Sequence, residues 1–227
     1  MECMPFQLII FQVVVLIFSV IIHEISHGFM AERLGDPTAR MAGRLTLNPL
    51  RHLDIFGSFI VPLTLAFTSG IAIGWAKPVP YNPYNLKDPH RGGALIAAAG
   101  PAANLFVALV FGLIIRFADR GFLPLDSGLV NLFEIVVYIN ILLGIFNLLP
   151  IPPIDGSKVI TVLFPHSLRV SWEAFWARIQ RIIAENLFVF LILLFLTLQY
   201  IIGFIFYLIL PVMEFLFVLL VGHGPNF

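Results

Sequence analysis

Phe6–Met30 reads FQLIIFQVVVLIFSVIIHEISHGFM, an apolar run of membrane-spanning length with His23, Glu24 and His27 in its second half. About 20 predominantly apolar residues cross a bilayer core as a helix. Ionisable groups inside such a helix are costly and usually functional. Residues four apart stack on one helix face, so His23 and His27 can aim two imidazole nitrogens at one metal ion. Zinc takes such ligands in tetrahedral sites. Glu24 stands beside them, where a carboxylate can act as general base on a water held by the metal.

Composition places this helix in a larger membrane protein. Of 227 residues, 59% are hydrophobic and 11% charged. A soluble domain is closer to 45–50% apolar and ~25% charged. The chain reads as a single multi-spanning domain. The formal net charge is zero, which excludes a basic surface for nucleic acid. The single cysteine, Cys3, excludes an internal disulfide framework. No positive n-region precedes the first apolar run, so this segment is expected to be a retained helix rather than a signal peptide.

Further segments of spanning length lie at roughly 93–117 and 129–150, and a longer one at 186–221. The last exceeds what one helix needs for a ~30 Å core. Pro211 is expected to divide it into a span and a shorter return or interfacial segment. The stretch 55–75 is apolar but short, and Gly57, Pro62, Gly70 and Gly74 interrupt it. The distribution of basic residues decides how it runs, because Lys and Arg collect on the cytoplasmic side. If 55–75 crosses fully, the 13 basic residues split seven to six. If it enters and returns, they split eleven to two, with only Arg116 and Arg120 outside. The sequence therefore predicts an all-α polytopic bundle of about four to six transmembrane helices. A re-entrant or interfacial element, with room for a short β-hairpin, is expected at about 40–75. The N-terminus is expected outside, with 31–92 and 151–185 in the cytoplasm.

A catalytic zinc usually has three protein ligands and one open position. Asp155 is the best third ligand at membrane depth. It follows Asn147-Leu148-Leu149-Pro150-Ile151-Pro152-Pro153-Ile154, where three prolines end a helix and are expected to hold the backbone extended. With 55–75 re-entrant, Asp155 emerges on the same face as His27. With 55–75 spanning, it would lie ~30 Å away. Charge bias and shared-metal geometry favour the same topology.

His23-Glu24-Ile25-Ser26-His27, together with Asn147, Pro150, Pro152, Asp155 and Gly156, resembles the site-2 protease family of intramembrane zinc metalloproteases (peptidase M50). GRLTLNPLRHLDIFGS at 43–58, GWAKPVPYNPYNL at 74–86 and AAAGPAANL at 97–105 resemble its compact prokaryotic branch. The similarity covers about residues 6–160, leaving 186–221 as additional membrane segments. The resemblance implies one Zn2+ per chain on His23, His27 and Asp155, with Glu24 as catalytic base. It also implies that Asn147 positions substrate or stabilises an oxyanion. The expected activity is hydrolysis of peptide bonds within or near transmembrane segments, as in regulated intramembrane proteolysis. The expected partners are a transmembrane protein or peptide and the lipid bilayer, with the metal site opening toward the cytoplasm. Many family members carry PDZ or CBS modules, and this chain leaves no room for one.

Other residues carry weaker expectations. Asn48 and His52, in Asn-Pro-x-x-His, and Pro152 and Pro153 are candidate substrate contacts. The apolar surroundings of Glu134, near the outer end of its helix, suggest that its carboxylate reaches the membrane interface. Gly93, Ala97, Gly100 and Ala103 form a small-residue face suited to close helix packing. A metal carrier built on the same ligands would not need Glu24.

Overall fold

A backbone crossing a bilayer must satisfy its own hydrogen bonds, and helices do so within one segment. A computed structural model describes residues 6–54 and 76–225, and among these there is no strand. The helices are α1 (Phe6–Arg33), α2 (Thr38–Met41), α3 (Pro89–Asp119), α4 (Ser127–Asn147), α5 (Gly156–Thr161), α6 (His166–Glu185) and α7 (Leu187–Val221). Short 3-10 turns stand at Pro49–Arg51 and Pro83–Asn85. Among the described residues, four helical segments are long and apolar enough to span a membrane: α1, α3, α4 and Gly203–Val221 of α7. The protein is an all-α multi-pass membrane protein.

Local chemistry sets the starts of the central helices. Asp88 accepts hydrogen bonds from the His90 and Arg91 amides, with Pro89 in the first turn of α3. Asp126 accepts from the Leu129 amide at the start of α4. Helix α3 is central and packs against α1, α4, α5 and α7. Its buried stripe is rich in small residues, including Gly93, Ala97, Gly100, Ala108 and Gly112. Lipid tails are as apolar as leucine, so helices gain little from hydrophobic burial against each other. Small residues let backbones approach and dispersion contacts accumulate. Ala108, Ile115, Val137, Ile141, Met213 and Phe217 form the resulting core between α3, α4 and α7.

Three local expectations need correction. Pro211 does not divide the last segment, since α7 runs unbroken through it. Proline removes one backbone hydrogen bond, but in apolar surroundings continuing the helix is the way to satisfy the remainder. The segment after Asn147 is not extended. It folds into tight turns, with the Ile154 amide donating to the Ile151 carbonyl at 2.9 Å. Prolines supply no competing amides and have a φ suited to turns. Glu134 does not reach the interface. It is fully buried, with Oε1 3.7 Å from His223 Nε2. Packing of the end of α7 against α3 and α4, invisible in local sequence, encloses it.

Most of the expected 40–75 element, residues 55–75, lies outside the described residues. Its flanks meet. The Lys77 amide donates to the His52 carbonyl at 2.8 Å. Asp36, just after α1, accepts from the Asn82 amide at 2.6 Å and from Asn85 Nδ2 at 2.7 Å. The chain thus leaves α1 and enters α3 at one end of the bundle. The end of α5 is tied to that same end of the bundle, with His90 Nε2 3.2 Å from Thr161 Oγ1.

Candidate metal centre

His23 and His27 lie one turn apart on α1, facing α3 and the turn after α4. Their rings meet edge to face with centroids 4.6 Å apart. The closeness depends on Gly100 of α3. A Cβ there would stand 2.6 Å from His23 Cε1 and 2.5 Å from His27 Cε1. The small-residue face of α3 therefore makes room for imidazoles as well as for helix packing.

The proton positions on both rings follow from their partners. His27 Nδ1 is 2.6 Å from the Ile96 carbonyl, which can only accept, so Nδ1 carries the proton. His23 Nδ1 is 2.7 Å from Asn104 Oδ1. The amide of Asn104 is oriented by its neighbours: Nδ2 donates to the Ser19 carbonyl at 3.1 Å and to Asn140 Oδ1 at 2.9 Å. Asn140 is fixed in turn, its Nδ2 donating to the Val136 carbonyl and to Ser19 Oγ, both at 2.9 Å. Backbone carbonyls thus fix both amides, and Asn104 must present its oxygen to His23. Its Nδ1 is also the protonated nitrogen. Ser19, Asn104 and Asn140 are all buried, and this connected network aims the His23 ring.

Each neutral imidazole therefore presents a lone pair at Nε2. Both lone pairs face one carboxylate oxygen: Asp155 Oδ2 lies 3.1 Å from His23 Nε2 and 3.2 Å from His27 Nε2. Three lone pairs at such distances repel unless a cation stands between them. Donors bound at ~2.0–2.1 Å in a tetrahedron stand ~3.3 Å apart, close to the two distances from Asp155 Oδ2 to the imidazoles. The three residues could hold a single metal ion. Asp155 immediately precedes α5, but its side chain makes no capping bond. The carboxylate is turned to the histidines instead.

A cavity of about 350 Å³ opens on this triangle, lined also by Glu24, Asn147 and Pro153. Glu24 Oε2 accepts from the Val79 amide at 2.8 Å. Asn147 Nδ2 donates to the Leu143 carbonyl at 2.9 Å, leaving its second N–H free of a hydrogen bond among the described residues. A neighbouring cavity of about 530 Å³ takes Pro152 into its wall and shares Tyr81 and Lys158 with the first.

His23, Glu24, His27, Asn147, Asp155 and Pro153 are thus brought together around one cavity. Asn48 and His52 are not among the lining residues. Asn48 caps the turn at Pro49–Arg51 by accepting from the Leu50 amide. His52 is buried, with Nε2 2.8 Å from the Thr46 carbonyl, and holds its own loop. Sequence reasoning missed Asn104, Asn140 and Val79. Asn104 lay inside a quoted motif and Asn140 was a polar residue in an apolar helix, which was the available signal. Val79 carried none.

Known proteins supply a separate line of comparison. The model described as Peptidase family M50 matches residues 123–194, a range that includes Asn147 and Asp155 but not the His-Glu-x-x-His of α1. Three relatives are each named "Putative zinc metalloprotease": YwhC of Bacillus subtilis, Rip2 of Mycolicibacterium smegmatis and MJ0611 of Methanocaldococcus jannaschii. YwhC is 40% identical over 169 residues, covering 73% of this chain and 74% of that protein. Rip2 is 33% identical over 62% of this chain and 52% of its own length. MJ0611 is 31% identical over 64% of this chain and 71% of its own length. No solved structure matches the chain.

Proposed function

The chain belongs to peptidase family M50 and is a membrane metalloprotease, and from that premise we propose that it is a zinc-dependent endopeptidase cutting peptide bonds within or near the transmembrane segments of other membrane proteins. The observation that carries this reading is the triangle of lone pairs on His23, His27 and Asp155, a donor set that calls for a cation. These residues hold one zinc per chain. The chemistry supplied by a zinc there is Lewis-acid polarisation of a peptide carbonyl and a lowered pKa for water.

Glu24 takes a proton from the attacking water as its oxygen adds to the carbonyl carbon. It then delivers that proton to the amide nitrogen as the C–N bond breaks. Asn147 offers its second Nδ2 proton to the substrate carbonyl. A peptide bond inside a helix is shielded by its own hydrogen bonds, so the substrate must unwind locally to enter. The bilayer holds enzyme and substrate together. Loops bearing eleven of the 13 basic residues share the end of the bundle at which the cavity lies, which supports a cytoplasmic opening and an external N-terminus. We read residues 6–160 as the catalytic core and 186–221 as supporting membrane segments of the same domain.

Two variants test the reading. Purified Asp155→Ala, confirmed folded, is expected to lose the single zinc of the wild type. Glu24→Gln is expected to keep zinc and lose turnover of a single-span substrate in vesicles. Full turnover by Glu24→Gln would reject hydrolysis through Glu24, and zinc retention by Asp155→Ala would reject the ligand set.

A further inference from the structure

The segment Lys77-Pro78-Val79-Pro80 forms a strap across the catalytic cavity, with Pro78 and Val79 in its wall. Proline has no amide proton, so Val79 holds the only backbone donor within 78–80. It is directed at Glu24 Oε2, at 2.8 Å. Among the described residues this is the one hydrogen bond that orients the Glu24 carboxylate.

The Val79 side chain is anchored on the same face of α1. A Cβ at Gly28, one turn beyond Glu24, would lie 2.9 Å from Val79 Cγ1 and 2.5 Å from Leu45 Cδ2. Only glycine at 28 allows the strap this close. Arg44 fixes the strap from the other side. Its buried guanidinium donates through Nη2 to the Lys77 carbonyl at 2.7 Å and the Pro78 carbonyl at 3.1 Å, and through Nη1 to the Arg51 carbonyl. The Lys77 amide is also engaged, by the His52 carbonyl. The amides of Lys77 and Val79 and the carbonyls of Lys77 and Pro78 are therefore committed inward, and these four groups are not free to pair with an extended substrate.

We propose that Arg44, acting through this strap and the Val79 amide, is a positioning residue that holds the Glu24 carboxylate in its proton-transfer geometry. This rests on Glu24 being the general base. A base must sit within hydrogen-bond reach of the proton it removes, and a carboxylate with several rotamers does so only when one oxygen is pinned. Lysine cannot replace Arg44, because a single ammonium lacks the fork that reaches carbonyls of two loops.

The test uses the full chain in vesicles of phosphatidylethanolamine and phosphatidylglycerol with a fluorogenic single-span model substrate. Val79→Pro deletes the amide proton. Arg44→Ala and Arg44→Lys delete the fork. All three are expected to lower kcat by about 10- to 100-fold, the scale of a lost hydrogen bond to a charged group. KM is expected within about twofold of wild type, and zinc content is expected unchanged. Millimolar guanidinium is expected to restore part of the Arg44→Ala loss. A wild-type kcat for Val79→Pro, or a loss confined to KM, would each overturn the inference. If Arg44 variants do not fold, Val79→Pro alone decides it. If Glu24→Gln itself turns over normally, the general-base reading fails. If Glu24→Gln is dead while Val79→Pro and Arg44→Ala are unimpaired, only the strap inference fails.

Discussion

Replacing Asn104 by leucine separates the metal chemistry of this protein from its packing. The side chain is fully buried and of similar size to leucine, so the change is mainly one of polarity. It removes the acceptor 2.7 Å from His23 Nδ1 and both donors on Nδ2, to the Ser19 carbonyl and to Asn140. Side-chain hydrogen bonds between membrane helices average only ~0.6 kcal/mol. Loss of three of them predicts a modest folding penalty of about 2 kcal/mol. The metal feels more. Without Asn104 Oδ1 nothing fixes the proton on Nδ1 or the ring angle, and loss of such an outer partner typically costs 10–100-fold in metal affinity. That is ~1.4–2.8 kcal/mol at tenfold per 1.4 kcal/mol. Competition for zinc against a chromogenic chelator, in detergent at fixed pH, reads it directly. Asn140→Leu acts one bond further away and is expected to cost less than Asn104→Leu. Folded Asn104→Leu protein that binds zinc as tightly as wild type would refute the argument that backbone carbonyls fix the tautomer and thereby build the site.

Gly100→Ala places a methyl against both imidazoles, so folded protein is expected to lose zinc and activity together; wild-type zinc content would show that α3 can retreat. Asp36 predicts a pH dependence. Burial pushes its pKa up, but hydrogen bonds from Thr38, Asn85 and the Asn82 amide outweigh that and hold it below the ordinary value of about 3.9. A carboxyl depressed in the folded state stabilises the fold above its unfolded pKa and stops doing so as pH falls through the folded one. The thermal midpoint of the wild type is therefore expected to drop more between pH 5 and 3 than that of Asp36→Asn, with equal slopes refuting the assignment. Asp36→Asn is also expected to loosen 82–85 from α1, measurable as faster amide exchange in that loop.

Local sequence determined a good deal here. His23 and His27 share a face because four residues make about one helical turn, and no tertiary contact is needed to know it. The spans of α1, α3 and α4 follow from apolar runs measured against a fixed bilayer thickness. Asp155 was reachable because basic residues sort across the membrane and left one topology that joins it to His27. The tertiary structure decided what depends on distant segments meeting. His23 and Asn104 are 81 residues apart, and Glu24 and Val79 are 55 apart. Nothing in either neighbourhood encodes the partner, and the contact exists only because α3 and the strap fold back on α1. Pro211, the prolines after Asn147 and Glu134 went against their local readings for the same reason. Backbone satisfaction in apolar surroundings and the enclosing helices outweigh propensities that amount to a few kcal/mol at most. Periodicity paired His23 and His27 as candidate ligands, and packing set the tautomers, the room and the carboxylate geometry that would let them act.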